Sequence, residues 1–449
     1  MEDPVDRRTT DRVWIALIGV AGLATALRVT ALGWPADAEE LALVGPFSPS
    51  EWATNPPLLS WIFNALAALE SVVTLGRAVS TVAAAAAIVG VGATARAAGA
   101  GRAGATLAAV ALAVLPAFVQ QAALYRAYAP AAAVLAWHLY ALVRTGEGSA
   151  RAGVVWTLTA ALLPWLHYAT APGLVLELVL VGACVPARTR GRTALALGAA
   201  LAGIGLGVLG SGSHPPVDDD PDRLWGMLRL GFSGTLVDAP RAQAIGVAVV
   251  VLVAGAQGVA GGGPGRRALG RGVTALVAGV AIVAIVARAR EPVQILWVLP
   301  CLTLVAAPVV GRGWTGVARA AVVALALASL GATPRPSRYQ EATDALWRLP
   351  VDGEAVALFP NALWDMWLFE STGAVPIGPS NTWTCADGAT GVACFTAAGR
   401  RWTRATEPLP EAGRWLAVAI DAPEPPARCG RAEPVAGSTL WRTATCPAP

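Results

Sequence analysis

Long apolar stretches separated by short polar turns run through the first 333 residues of the chain. Many of these stretches approach about 20 residues, the length that an α-helix needs to cross a bilayer. The pattern predicts about eleven transmembrane helices. They cover residues 13–32, 78–95, 103–118, a stretch ending near 143, 152–168, 171–185, 193–209, 242–258, 273–287, 293–310 and 317–330.

The composition supports this interpretation. Hydrophobic residues make up 55% of the chain and charged residues only 14%, whereas a soluble protein carries roughly a quarter charged residues. The fold class predicted is an all-α polytopic membrane protein. The net charge of +4 comes from arginines scattered along the chain. Nucleic-acid binding is therefore not expected, because it usually needs a concentrated basic surface.

The placement of arginine predicts the orientation in the membrane. With the N-terminus in the cytoplasm, the inner turns collect most of the arginines and the outer turns collect the carboxylates, as the positive-inside rule requires. Residues 1–333 then form a transmembrane domain with outer loops at 33–77 and 211–241. We expect a multi-pass protein of the cytoplasmic (inner) membrane. The odd number of predicted spans places the rest of the chain outside.

Residues 334–449 are more polar and rich in proline. They predict an extracytoplasmic C-terminal domain of α/β or α+β class, roughly 110 residues long, that begins with a helix and then a strand near D-G-E-A-V-A-L-F-P. Its four cysteines are Cys385, Cys394, Cys429 and Cys446. An even number of cysteines in an exported segment indicates disulfides. Proximity favours pairing the first two and the last two, and four free thiols are the alternative.

The acidic loop after the first predicted span is the best candidate for chemistry. It contains Asp37, Glu39 and Glu40 within W-P-A-D-A-E-E-L-A, and an Asn55-Pro-Pro turn follows. A carboxylate held partly out of water at a membrane surface becomes more basic, which suits a general base acting on a hydroxyl. The alternative is a solvated loop with ordinary surface acids.

Several arginines lie at span ends on the predicted outer side, where arginine is not favoured. They are Arg28, Arg77, Arg126, Arg288 and Arg290. Any one of them can extend its side chain to the lipid headgroups. As a set they predict at least one ligand for a lipid phosphate. Tyr125 and Tyr128 flank Arg126 and suggest a headgroup clamp.

His138 and Glu177 lie well inside predicted spans. His138 is expected to be a hydrogen-bonded packing residue. Glu177 is a functional candidate because carboxylates inside a membrane are costly, or else it pairs with a nearby arginine as a structural bridge. No Cys/His spacing typical of a metal site is present.

In this order, these motifs resemble membrane glycosyltransferases of the GT-C class, related to protein O-mannosyltransferases and lipid A aminoarabinose transferases. The likeness covers about residues 13–175. It includes the acids after Trp34, N-P-P-L at Asn55 where many members have H-P-P-L, and R-x-x-S at Arg77. It continues with A-L-Y-R-A-Y-A around Arg126 and W-L-H-Y-A-T at His167.

The resemblance implies a sugar donor carried on a polyprenyl phosphate, transferred with inversion to a hydroxyl of a glycan, lipid or protein acceptor. Asp37 or Glu39 would be the catalytic base, since Ala38 interrupts the family's Asp-Glu pair. Arg126, Arg288 and Arg290 would neutralise the lipid-phosphate leaving group. The remaining substrate-binding candidates are Glu40, Asn55, Arg77, Tyr125, Tyr128 and His167. No cofactor is required by the sequence, and a divalent metal is possible because some members use one.

Two other classes remain as alternatives. A membrane transporter or flippase usually shows paired repeats and helices broken at mid-membrane, and the sequence has no evident repeat between its halves. A non-catalytic envelope scaffold would use the spans only to anchor the outer domain, and it would have no need for acids opposite the outer arginines.

Overall fold

The computed structural model describes residues 4–33, 72–182, 263–285 and 298–306 and six short strands between 355 and 443. It also describes isolated positions, one to three residues long, at 40, 58, 62, 191, 194–195, 197–199 and 201–202. The chain divides into two compact units. The first comprises Met1–Leu32, Pro49–Leu59 and Leu75–Pro334. The second comprises Gly33–Ser48, Ser60–Thr74 and Arg335–Pro449.

The described part of the first unit is helical. Its helices are α1 (Pro4–Val29), α2 (Val72–Ala97, whose first three residues belong to the second unit), α3 (Arg102–Val114), α4 (Pro116–Ala122), α5 (Tyr128–Gly146), α6 (Ala150–Leu166), α7 (Ala171–Gly182), α8 (Pro264–Ile285) and α9 (Leu299–Ala306). Short 3-10 turns cover Thr30–Gly33 and Tyr168–Thr170.

The described helices fall where the apolar stretches predicted them, but their bounds differ in several places. α1 begins at Pro4 and α2 at Val72, before the predicted starts at residues 13 and 78. The stretch predicted as one helix over 103–118 is broken between α3 and α4, because Pro116 cannot continue the α3 hydrogen-bond ladder and instead begins α4. α8 begins at Pro264, so part of the Gly- and Arg-rich segment predicted as a turn is helical. Proline suits a first helical position and arginine is a good helix former, so helices extend past their apolar part.

Glycine closes two of the turns between helices. Gly99 follows α2 with φ 89° and Gly148 follows α5 with φ 93°, a backbone conformation that glycine adopts without steric cost. After Gly148, the Ser149 N–H reaches back to the Arg144 carbonyl, and the Ser149 hydroxyl accepts from the Ala152 N–H at 3.3 Å. The short basic turns that the sequence predicted are therefore confirmed at these two places.

The helices approach each other closely where small residues meet. A Cβ built on Gly279 of α8 would collide with the backbone of Gly173 in α7, so only glycine permits this crossing. Between α2 and α5, the Thr94 hydroxyl donates to the Gly90 carbonyl at 2.8 Å and to the Ala136 carbonyl at 3.0 Å. Close small-residue contacts and hydroxyl bonds between helices are typical of helices that pack within a bilayer.

Several large apolar side chains of the described helices are exposed, and several polar side chains are buried. Ile15, Val82 and Leu158 are 69%, 66% and 64% exposed on the outside of the helices, while His138 and Glu177 are fully buried. Among the described residues, one helix is long and apolar enough to cross a membrane, at Val73–Ala97. A core helix of a soluble protein or a signal sequence also passes that test, so the predicted number of spans stays a prediction.

The described strands of the second unit form one six-stranded mixed sheet. The strands are β1 (Ala355–Phe359), β2 (Phe395–Ala397), β3 (Arg400–Arg404), β4 (Trp415–Ala419), β5 (Ala432–Pro434) and β6 (Trp441–Thr443), in the order β2-β3-β1-β4-β6-β5. β1 is parallel to both β3 and β4, and the other pairs are antiparallel. The strand predicted near D-G-E-A-V-A-L-F-P is thus confirmed as β1. The predicted helix before it and the four tail cysteines lie outside the described residues.

Candidate anion-binding site at one end of the helical unit

The described helices of the first unit alternate in direction, so their termini gather at two ends. One end contains the C-terminus of α1, the first turns of α2, the α3–α4 break, the start of α5 and the α6–α7 turn. Contacts between these elements define it: Arg77 with Ala31, Arg28 with Ala113, Ser80 with Arg126, and Tyr128 with His167. We call it the buried-arginine end, because Arg28, Arg77 and Arg126 are all buried there.

The opposite end has a different arginine pattern. It contains the C-termini of α2 and α5 and the first turns of α3, α6 and α8. The C-terminus of α5 contacts the first turn of α8, where Gly146 lies against Gly265. Exposed arginines lie at these termini, namely Arg96, Arg102, Arg144, Arg151 and Arg267. We call it the exposed-arginine end. It coincides with the side that the sequence predicts to be cytoplasmic.

Arg77 lies one turn inside α2 and is fully buried. Its Nη1 donates to the carbonyl of Ala31 at 2.9 Å. Ala31 belongs to the 3-10 turn that follows α1, where carbonyls lack partners within the helix and carry a partial negative charge. The sequence placed Arg77 at the start of this span as a substrate ligand, and the structure places its guanidinium at the junction of α1 and α2.

Tyr125 and Arg126 lie in the bend between α4 and α5. Both are buried, and the Tyr125 ring lies against the backbone of Gly76, so a Cβ at that glycine would overlap the ring. The Ser80 hydroxyl makes a long hydrogen bond of 3.5 Å to the Arg126 carbonyl. These contacts bring Tyr125 and Arg126 beside the first turns of α2, the part of the helix that carries Arg77.

Tyr128 and His167 meet at the same end. Their ring centroids lie 5.3 Å apart at an interplanar angle of 43°. α6 ends before His167, whose extended backbone (φ −158°, ψ 109°) turns the chain into the 3-10 segment. The His167 carbonyl accepts from the Thr170 hydroxyl at 2.8 Å, while its ring Nδ1 is buried without a hydrogen-bond partner. A buried ring nitrogen of this kind suits a ligand hydroxyl.

The sequence grouped Arg28 with the outer arginines but did not predict the environment of its side chain. It is fully buried near the C-terminus of α1. Nη1 donates to the Ala24 carbonyl at 2.6 Å, Nη2 lies 3.5 Å from the Ala113 carbonyl, and the guanidinium carbon lies 5.5 Å from the centre of the Phe118 ring. The sequence shows that Arg28 lies in an otherwise apolar stretch. That position alone does not predict that the side chain is buried.

A separate polar network lies deeper in the unit and joins α5, α6 and α7. His138 Nε2 contacts the two carboxylate oxygens of Glu177 at 3.0 and 2.9 Å, and Trp156 Nε1 donates to Oε1 at 2.9 Å. His138 Nδ1 lies 2.9 Å from the Thr159 hydroxyl. The expectation that His138 is a packing residue is confirmed. The idea that Glu177 pairs with an arginine is wrong, since its partners are a histidine and a tryptophan.

The remaining predicted site residues divide into two groups. Glu40 is fully buried and belongs to the second unit. The others lie outside the described residues, namely Asp37, Glu39, Asn55, Arg288 and Arg290. Their roles stay predictions. Within the described ranges, no group of three His, Cys, Asp or Glu side chains is arranged to hold a metal ion, so the possible divalent ion also stays a prediction.

The buried-arginine end thus contains three buried guanidinium groups, which are always charged. The aromatic rings of Tyr128 and His167 lie at the same end, and His167 Nδ1 can hydrogen-bond a hydroxyl. Guanidinium groups bind phosphate through two parallel hydrogen bonds, and these bonds strengthen away from water. Searches of the chain against protein-family models and against curated proteins gave no match.

Proposed function

We propose that the protein is a multi-pass membrane glycosyltransferase. It would move a sugar from a polyprenyl-phosphate donor to a hydroxyl acceptor at the outer face of the cytoplasmic membrane. The observation that carries the proposal is the burial of Arg77 and Arg126 at the same end as Tyr125, Tyr128 and His167. This end also lies where the acidic loop leaves α1 in the sequence.

The distribution of side chains supports the membrane part of the proposal. Apolar side chains on the outside of the helices suit contact with lipid, and buried polar side chains suit a helical bundle surrounded by hydrocarbon. Among the arginines whose burial the structure describes, the exposed ones lie at one end of the first unit, as expected for cytoplasmic turns. The buried-arginine end then faces the outer leaflet, where a lipid-linked sugar would be presented.

The proposed reaction is a single displacement at the anomeric carbon of the sugar. The carboxylate of Asp37 or Glu39 takes the proton of the acceptor hydroxyl, and the acceptor oxygen forms a bond to that carbon from the opposite side. The bond between the carbon and the phosphate oxygen breaks, and its electron pair leaves with the polyprenyl phosphate. The configuration is inverted, and the proton remains on the carboxylate.

The buried arginines would act on the leaving group. Negative charge grows on the phosphate as its bond to the sugar breaks, and fixed positive groups in a site of low dielectric stabilise that charge strongly. Arg126 is the described residue assigned to this role, with Arg288 and Arg290 beside it in the proposal. Arg77 would bind the phosphate in the ground state as well.

Tyr128 and His167 would position the sugar. Tyr128 and His167 present ring faces and polar atoms together, a combination that suits a sugar with its apolar faces and many hydroxyls. The unpartnered Nδ1 of His167 would complete its hydrogen bonding with a sugar hydroxyl. Tyr125 would close the site from the side of α2.

The proposal is tested by sugar transfer with the full-length protein in lipid nanodiscs. A panel of polyprenyl-phosphate sugars would be supplied, and loss of donor and release of polyprenyl phosphate would be measured for the wild type, Asp37→Asn and Glu39→Gln. Glu147→Gln is the matched control, because Glu147 is an exposed carboxylate at the exposed-arginine end.

We expect one of the two acidic-loop variants to lose transfer by a factor of about 10²–10⁴, as when a general base is removed. The control should transfer at the wild-type rate. If the wild type binds no polyprenyl-phosphate sugar from the panel, the glycosyltransferase proposal fails. A transporter would instead move a substrate across the bilayer without releasing polyprenyl phosphate.

A further inference from the structure

The contact between His138 and Glu177 lies away from the buried-arginine end, in the interior of the first unit. Both side chains are fully buried. His138 follows Tyr128 by ten residues, and Glu177 follows His167 by ten residues. At a rise of 1.5 Å per residue, about 15 Å of helix separates this contact from the Tyr128–His167 ring pair. The contact therefore lies near the middle of helices whose ends carry the two rings.

The hydroxyl of Thr159 determines the protonation of one ring nitrogen of His138. A hydroxyl has a single hydrogen, and that of Thr159 points to the carbonyls of Val155 and Trp156 at 2.8 and 3.0 Å. The hydroxyl oxygen is then an acceptor for His138 Nδ1, which lies 2.9 Å away. Nδ1 of His138 therefore carries a hydrogen.

The second ring nitrogen of His138 faces the carboxylate of Glu177. Nε2 lies 3.0 and 2.9 Å from the two carboxylate oxygens. A carboxylic acid would direct its one hydroxyl oxygen at Nε2, whereas an ionised carboxylate presents two equivalent acceptors. The near-equal distances fit an Nε2–H donated between both oxygens. With Nδ1 also protonated, His138 is an imidazolium, and its contact with Glu177 is a buried ion pair.

The ion pair is enclosed by two further helices. Trp156 of α6 donates Nε1–H to Oε1 of Glu177 at 2.9 Å and stacks on the His138 ring, with centroids 6.2 Å apart. On the side of α8, a Cβ built on Gly272 would lie 3.6 Å from the carboxyl carbon of Glu177. A buried ion pair is stable only when its remaining polar atoms are hydrogen-bonded. Each N–H of His138 and Trp156 has an acceptor here.

We infer that Glu177 and His138 are positioning residues for the ring pair at the buried-arginine end. His138 belongs to α5, which begins at Tyr128, and Trp156 belongs to α6, which ends directly before His167. Glu177 on α7 bonds to both, so it fixes the helix that carries Tyr128 relative to the turn that carries His167. The inference rests on the proposed function, in which the two rings hold the sugar, and it adds the residues that hold the rings.

The test uses isotope-labelled full-length protein in lipid nanodiscs. The chain has three histidines, so ¹⁵N NMR of labelled imidazoles reports the protonation of each ring. It has five tyrosines, so 3-fluorotyrosine labelling gives five ¹⁹F resonances, of which Tyr128→Phe identifies the one from Tyr128. KM and kcat for a polyprenyl-phosphate sugar are measured beside the spectra, together with unfolding midpoints.

Four variants separate the bonds of the network. Glu177→Gln keeps an acceptor for Trp156 and offers an amide N–H to His138 Nε2. Glu177→Ala removes both bonds. Trp156→Phe removes only the link to α6 and replaces Glu177→Ala if that variant does not fold. Glu147→Gln is the matched control, because Glu147 is an exposed carboxylate at the exposed-arginine end.

We expect both ring nitrogens of His138 to be protonated in the wild type at neutral pH. Glu177→Gln should convert His138 to the neutral form with its hydrogen on Nδ1 and leave the Tyr128 resonance and KM unchanged. Glu177→Ala and Trp156→Phe should shift the Tyr128 resonance. They should also raise KM by about tenfold with a smaller change in kcat, because misplaced rings lose sugar binding. Glu147→Gln should match the wild type in every measurement.

The outcomes separate this inference from the proposed function. A neutral His138 in the wild type would overturn the ion pair. If the Tyr128 resonance is unchanged in folded Glu177→Ala and Trp156→Phe, Glu177 does not position the rings, even where sugar transfer occurs. If the wild type transfers no sugar but the ¹⁵N and ¹⁹F spectra respond as expected, the glycosyltransferase proposal fails and the positioning role stands.

Discussion

The two ends of the helical unit use the same residue in opposite ways. At the exposed-arginine end, Arg144 pairs on the surface with Glu147 of the following turn, at 2.6 Å. At the buried-arginine end, Arg28 and Arg77 are fully buried and donate to backbone carbonyls. Arginine at a cytoplasmic turn needs only water and headgroups, whereas a buried arginine must be compensated by the protein or by a ligand. The exposed arginines therefore indicate the orientation of the helices in a membrane, whereas the buried arginines mark a candidate binding site.

The largest effect on stability is expected for the two carboxylates Glu177, which is fully buried, and Glu147, which is exposed. Glu177→Ala leaves the N–H groups of His138 and Trp156 buried without their acceptor, which should destabilise the protein by about 3–5 kcal/mol. Glu147→Ala removes an exposed partner and should cost less than about 1 kcal/mol. SDS-induced unfolding in mixed micelles measures both. Equal losses would show that burial of Glu177 has no energetic consequence.

Removing the charge of Arg77 tests the contrast at the level of activity. Arg77→Met should lower kcat/KM for sugar transfer by about 10²–10³-fold, because a fixed cation facing a developing negative charge is lost. Arg102→Met, at the other end, should leave it unchanged. The unfolding midpoint identifies any loss caused by misfolding. A well-folded Arg77→Met enzyme with normal transfer would exclude Arg77 from the site.

A smaller effect is expected from the close contact between Gly76 and Tyr125. Gly→Ala inside a helix normally stabilises by up to about 1 kcal/mol. Gly76→Ala should instead destabilise by about 1–3 kcal/mol, because the new methyl group overlaps the Tyr125 ring. Gly19→Ala is the matched control, since its Cβ would have no atom within 4 Å. If both substitutions stabilise, the Tyr125 ring does not lie against α2.

The smallest effect concerns the surface pair at the exposed-arginine end. A double-mutant cycle between Arg144 and Glu147 should give a coupling energy of about 0.2–1 kcal/mol. The coupling should fall as salt is raised from 0.05 to about 0.5 M, since exposed pairs are screened. A larger coupling that does not respond to salt would mean that this end is less accessible to water than its exposure indicates.

Helix positions were largely predictable because they depend on local sequence. Apolar stretches located α2, α5, α6 and α7, and Gly99 and Gly148 fall in the turns that the sequence predicted. The errors have local causes that hydropathy does not capture. Pro116 interrupts a stretch that is apolar throughout, and α8 extends back to Pro264 through arginines that are compatible with a helix.

The site was predictable only in part. The motifs selected Arg77, Tyr125, Arg126, Tyr128 and His167, and the structure brings their helix ends together. Sequence patterns did not distinguish Arg28 from a snorkelling residue. They also did not pair Glu177 with His138 and Trp156. In both cases the deciding contacts come from other helices.

The sequence by itself determined which segments are helical, where most turns fall and which end collects exposed arginine, because these depend on hydropathy and backbone preferences over a few residues. Tertiary structure alone decided which polar side chains are buried. Arg28 meets a carbonyl 85 positions away, and His138 meets a carboxylate 39 positions away. Burial is a property of packing between distant segments, so the same residue type became a surface charge at one end and an enclosed cation at the other.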